Sequence, residues 1–227
     1  MYFSFMNTPA KIHLSKLEKE LVENGQWILT KQSIITKVYQ LFGGMLDAYK
    51  RIIVEEKGLL PSFFKTANGK ISKGENYEGL PYVILDYPGL FSKENIFAIR
   101  TMFWWGNFFS ISLHISGKNL SEKTNFLTAL NYLQENDFFI CVNESEWEHS
   151  FEPSNYISAT VINEEKITEI SNKNFFKISK KIELNEWDDA PKFLEETFKE
   201  IMSFITISFP NGEIIPSPAS PKVATDL

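Results

Sequence analysis

Apolar positions along the chain change their spacing near Leu80, and that change divides the sequence into a helical first quarter and a strand-rich remainder. Leu14, Leu17, Leu21 and Val22 recur at helical spacing and form one stripe. A second stripe, Ile34, Ile35, Val38, Tyr39, Leu41, Phe42, Leu46, Tyr49, Ile52 and Ile53, predicts another helix, with Gly43-Gly44 as its weak point. Two helices covering one sheet face would use these stripes, and the helical part is expected to span residues 14–56. Residues 57–79 are polar and carry Gly58, Gly69, Gly74 and Gly79, which predicts a loop able to act as a flap over the sheet.

From Leu80 onward the pattern is that of strands. Tyr82 to Leu85 suit one, with Pro81 and Pro88 restricting its ends because proline donates nothing to a ladder. Ile96 to Trp104 and Phe108 to Ile115 flank Gly106-Asn107, the composition of a tight hairpin turn. A two-residue turn would pair Trp105 with Phe108 and Arg100 with Leu113, placing Ile99, Thr101, Phe103, Ser110, Ser112 and His114 on one face. Arg100, Trp104, Phe109 and Ile111 would then stand on the other.

Ser121 is placed to cap a helix through Gln134, with Phe126, Leu127, Leu130 and Leu133 as its stripe. Phe138 to Val142 reads as a buried strand, Asn143 to Tyr156 as an exposed charged loop, and Tyr156 to Ile162 and Phe175 to Leu184 as two amphipathic strands. Asp188 or Asp189, Pro191 and the stripe from Phe193 to Ile205 mark a final helix. These elements predict an α+β fold, a mainly antiparallel sheet with N-terminal, central and C-terminal helices packed on one face. A single domain over residues 1–209 is expected, with 210–227 as a Pro- and Ser-containing tail.

Composition narrows the class further. Among 227 residues there are 20 Phe, 8 Tyr and 5 Trp, an aromatic supply that exceeds ordinary core needs and leaves rings for binding. Acidic residues outnumber basic ones, 29 to 23, so a general nucleic-acid binder is not expected. Lys173, Lys177, Lys180 and Lys181 are diluted by Glu165, Glu169 and Glu183 and read as a solvated face. Cys141 is the single cysteine, which points to a reducing, cytoplasmic setting, and within FFICV it reads as a small buried apolar residue. The opening residues lack the pattern of a signal peptide, and no apolar run is long enough to span a membrane, so no membrane partner is expected.

The chemistry-bearing residues gather around the hairpin. Arg100 needs an acid, and Asp86 is the partner suggested by position, either as an internal ion pair or as part of an anion site with Tyr82 or Tyr87 nearby. Ser110, Ser112 and His114, with Thr101, form a polar strip beside aromatic residues, the make-up of a shallow ligand groove. Trp104 and Trp105 add an aromatic edge. Candidate ligand-binding residues are therefore Tyr82, Asp86, Tyr87, Arg100, Trp104, Trp105, Ser110, Ser112 and His114. Glu144, Glu146, Glu148 and His149 lack the glycine-shaped loop of a calcium site, and no metal or cofactor is expected.

No spacing in the chain spells out a phosphate loop, a nucleophile elbow or a catalytic triad. The leading expectation is a non-enzymatic binding or interaction protein that uses an aromatic sheet surface to hold a protein partner or a small polar ligand. An alternative is a hydrolase or transferase for a small anionic substrate, with Arg100 positioning it and His114 or Asp86 as acid or base. A structural homodimer built on exposed aromatics is the third reading.

Overall fold

A computed structural model describes residues 13–55, 64, 67–120 and 129–209. The chain divides into two compact units, Met1–Lys37 and Val38–Leu227, with the boundary inside a long helix. In the first unit, helix α1 (Lys16–Glu23) opens on a capping box: Ser15 Oγ accepts from the Glu18 N–H, and the Ser15 N–H donates to Glu18 Oε2 at 2.6 Å. Helix α1 buries none of its residues, and Leu17 and Val22 stand exposed, so its stripe is not a core stripe. Helix α2 (Gly25–Glu55) then runs unbroken through Gly43-Gly44. The two glycines lower helix propensity without ending the helix, because flanking apolar residues such as Phe42, Ala48 and Tyr49 are buried and hold it by packing.

The second unit is built on a seven-stranded sheet in the order β1-β2-β3-β4-β7-β5-β6. Its strands are β1 (Lys70–Tyr77), β2 (Leu80–Phe91), β3 (Ile96–Trp104), β4 (Phe108–Ser116), β5 (Phe139–Cys141), β6 (Tyr156–Ser158) and β7 (Phe175–Glu183). All six pairs of neighbouring strands are antiparallel. Among the described residues the other α-helices are α3 (Leu130–Glu135), α4 (Glu164–Ser171) and α5 (Ala190–Ser208). The α+β fold with a mainly antiparallel sheet is thus what the chain adopts.

Three sequence expectations need correction here. The proposed flap contains strand β1: Gly74 lies opposite Tyr82, and a Cβ at Gly74 would overlap the Tyr82 ring, so the glycine permits a close strand approach. Strand β2 does not stop at Pro88 but carries it through a bulge between Asp86 and Gly89. After Ser158 the chain leaves the ladder for a 3-10 turn, Ala159–Val161, instead of continuing as strand to Ile162. The expected Ser121 cap with Phe126 and Leu127, and the tail at 210–227, lie outside the described residues.

One sheet face is apolar, and Phe42 and Tyr49 of α2 and Phe204 of α5 pack against it. Phe97, Ile99, Phe103, Phe109, Ile111, Leu113 and Ile115 are buried there at 2% exposure or less, and this is the main core. Tyr49 of α2 stacks on Phe198 of α5 at 4.0 Å, and its hydroxyl shares a 3.1 Å hydrogen bond with Thr101 of β3. Phe204 of α5 stacks on Phe176 of β7, and Tyr132 of α3 donates to the Glu200 carbonyl. Helix α5 starts as anticipated, with proline in its first turn, although Asp189 makes no side-chain cap bond.

Candidate functional site

The opposite sheet face is polar at its centre, and the hairpin register decides which residues it holds. Strands β3 and β4 are joined by three residues, Trp105-Gly106-Asn107, with Trp104 opposite Phe108. The Asn107 N–H donates to the Trp104 carbonyl at 3.1 Å, and Gly106 takes the positive φ of 74° that the turn requires. The extra loop residue slips the pairing by one relative to a two-residue turn. Arg100 therefore lies opposite Ser112 and Ala98 opposite His114, so Arg100, Ser110, Ser112 and His114 share a face, while Thr101 points to the helices.

Register extends this face across the sheet. Asp86, Arg100, Ser112 and Ser179 form one row through β2, β3, β4 and β7, and His114 lies beside Lys177 in the next. Arg100 meets Asp86 through two bonds, Nε to Oδ1 at 2.8 Å and Nη2 to Oδ2 at 3.0 Å. The planar fork matches the carboxylate, and both side chains are mostly buried, 16% and 11% exposed, so the pair neutralises itself inside the fold. The ion-pair reading of these two residues is the one the geometry supports.

The segment Asn143–Asn155 crosses this face as a strap. It was expected to be exposed, but only Glu144 and Trp147 of its first six residues are open to solvent. Lys177, expected on a solvated face, is 2% exposed and donates from Nζ to the main-chain carbonyls of Glu146 at 3.0 Å and Glu148 at 2.6 Å. Tyr77 of β1 donates to Glu148 Oε2 and accepts from the His149 and Ser150 N–H groups, the former at 2.7 Å. His114 Nε2 meets Glu146 Oε2 at 3.0 Å, and His149 Nε2 lies 3.4 Å from Arg100 Nη1. At the base, Cys141 is buried and its thiol donates to Asn155 Oδ1.

Burial and neighbouring cations set the charge states. Burial, with Lys177 and Arg100 nearby, pushes His114 down to about 3. The same causes push His149 well below its ordinary range. Both rings are therefore neutral at neutral pH: His114 Nε2 carries a proton toward the Glu146 carboxylate, and His149 Nε2 accepts from the guanidinium. Burial also lowers Lys177 to about 8 and raises Glu146 and the Cys141 thiol.

Two clefts flank the exposed Trp147 ring. One, of about 430 Å³, is floored by Asp86 and Arg100, with Asn68 just before β1, Lys70 and Ser72 on β1, and Phe91 and Trp147 as aromatic walls. The other, of about 730 Å³, includes Glu94, Ser116, Gly117, Glu146 and Trp147.

Of the residues anticipated from sequence, Asp86 and Arg100 line the smaller cleft, and Ser112 and His114 lie on the same face in the interior. Ser110 is buried at 4% exposure. Trp104 is buried in an apolar cluster with Ile84, Met102 and Phe108, against which Tyr82 packs. Tyr87 is 3% exposed, and Trp105 sits in the turn with its ring against Phe103. The aromatic edge is thus largely internal, and the open rings of the cleft, Phe91 and Trp147, were not among the candidates.

The Glu144, Glu146 and Glu148 carboxylates diverge to Lys173, His114 and Tyr77. Among the described residues no group of three or more His, Cys, Asp or Glu side chains converges as metal ligands, and no helix is long and apolar enough to cross a membrane. No protein-family model, curated protein or solved structure matches the chain, so the geometry of this face stands alone as the guide to function.

Proposed function

We propose that this chain is a non-enzymatic binding protein that holds a small polar anion in the cleft over the Asp86–Arg100 pair. The observation that carries the reading is the juxtaposition of Arg100 and Lys70 with two exposed aromatic walls. Among the described residues, Lys70 and Arg100 against Asp86 leave one positive charge in excess there, on a chain whose net charge is −6. Arg100 also lies 5.7 Å from the Phe91 ring centroid, so charge and apolar surface are adjacent. A few polar groups between aromatic walls are the ordinary make-up of a small-molecule site. Native mass spectrometry of the purified full chain tests the reading. Added mass that survives native conditions, disappears on denaturation and is lost in Lys70→Ala supports it; added mass indifferent to Lys70→Ala and Phe91→Ala counts against this cleft.

A hydrolase or transferase acting on a small anion is the second reading. The register favours it by putting Arg100 and His114 on one face, and Glu146 orients the imidazole. Its weakness is access, because His114 is 6% exposed beneath the strap.

A further inference from the structure

We infer that the larger cleft, on the other side of Trp147 from the Asp86–Arg100 pair, binds a small organic cation, an amine or quaternary ammonium, between the Glu146 carboxylate and the Trp147 ring. This site does not depend on the anion site proposed above. Among the described residues its charged lining is Lys93, Glu94 and Glu146, one negative charge in excess, the reverse of the neighbouring cleft.

Glu146 is the decisive residue. Its Oε2 faces His114 Nε2 at 3.0 Å, which leaves Oε1 for another partner. That contact supplies no counter-charge, since the buried imidazole is neutral. Lys177, the nearest buried ammonium, spends its bonds on the main-chain carbonyls of Glu146 and Glu148. Burial raises Glu146 from its ordinary carboxylate value while the charge of Lys177 opposes that shift, and among the described residues no lysine or arginine closes an ion pair with it. A cation entering the cleft would supply what the fold withholds.

Trp147 provides the second element. Its ring is 47% exposed although it adjoins the buried face, and His114 holds it edge-on at 5.6 Å. An indole fixed beside a carboxylate matches an alkylammonium group in both charge and shape, because the ring face attracts cations and the apolar body displaces water. The cleft has room for such a group, and Gly117 in its wall has a φ of 69° with the Glu94 carbonyl packed where a side chain would stand.

The test titrates the full-length protein with tetramethylammonium chloride while following the indole N–H resonance of Trp147, assigned with Trp147→Phe. Tert-butanol serves as a neutral molecule of similar size and sodium chloride as the salt control. The expected result is a saturable shift with tetramethylammonium alone, weakened roughly tenfold in Glu146→Gln. The Glu146 substitution retains an acceptor for His114, and Trp147→Leu, at an exposed position, gives a second variant with binding read by calorimetry. Absence of a saturable shift, an equal response to tert-butanol, or unchanged affinity in both variants overturns the inference.

Discussion

Arg100 and Asp86 face each other across β3 and β2 and close two parallel bonds, so the guanidinium that lines the smaller cleft is held by the fold before any ligand arrives. Removing the carboxylate leaves a mostly buried cation with a neutral imidazole as its remaining side-chain partner. Asp86→Ala is expected to destabilise the protein by about 3 kcal/mol, whereas Asp86→Ala combined with Arg100→Met recovers much of that loss. Urea denaturation of the two variants measures it. Equal losses in both would show that the pair contributes through packing instead of charge.

Acid should loosen the same face. The folded pKa of His114 lies below its ordinary value, so the unfolded chain binds the proton more readily between about 6.5 and about 3. Stability from this group is therefore full above about 6.5 and lost progressively as pH falls through that window; His149 acts in the same direction, while Glu146, shifted upward, opposes it. Denaturation at about pH 7 and about pH 5 should show a loss of up to ~1.4 kcal/mol per pH unit from His114, reduced in His114→Gln. An unchanged pH slope in that variant would place the acid sensitivity elsewhere.

The strap depends on one ammonium. Lys177→Met keeps an unbranched apolar stem but removes the donor to the Glu146 and Glu148 carbonyls. Two part-buried acceptors then lose a partner, at up to about 1–3 kcal/mol each if no water replaces it. Hydrogen exchange should accelerate across residues 143–155 and leave β3 and β4 protected. Uniform acceleration through the sheet would mean that Lys177 supports the core and not the strap.

The hairpin turn offers a smaller, cleaner perturbation. Gly106 has a φ of 74°, and a Cβ there would meet only Leu80 Cδ1 at an ordinary 4.0 Å, so Gly106→Ala meets conformational strain without collision. The expected cost is about 1 kcal/mol in denaturation experiments. No cost at all would argue against the turn geometry that sets the register.

That register explains what the sequence conceals. Strands β3 and β4 are legible from their alternation, but Gly106-Asn107 suggests a two-residue loop, and including Trp105 slips every pair and exchanges the faces. The signal that corrects it is present in the composition: Phe109, Ile111, Leu113 and Ile115 alternate with Ser110, Ser112 and His114, and only the slipped register sets them against Phe97, Ile99 and Phe103. The edge strand β1 is hidden by Gly74 and by the polar side chains of Lys70, Ser72 and Lys73, which suit an edge.

Lys177 illustrates a different limit. Its burial follows from the strap, whose carbonyls meet it from residues about thirty positions earlier, and no local pattern encodes that meeting. Phe91 and Trp147 likewise become a pair of walls only when the strap is laid beside β2. Asp86 and Arg100 were legible because their strands are consecutive and charge demanded a partner.

The proposed anion site is tested most directly by titrating the full chain with sodium benzoate while following the Arg100 Nε–H and Trp147 indole resonances. Saturable shifts of both signals are expected, weakened several-fold in Lys70→Ala and absent with benzyl alcohol as the neutral control. Benzoate binding that leaves the Arg100 and Trp147 signals unmoved, or that persists unchanged in Lys70→Ala, would contradict it.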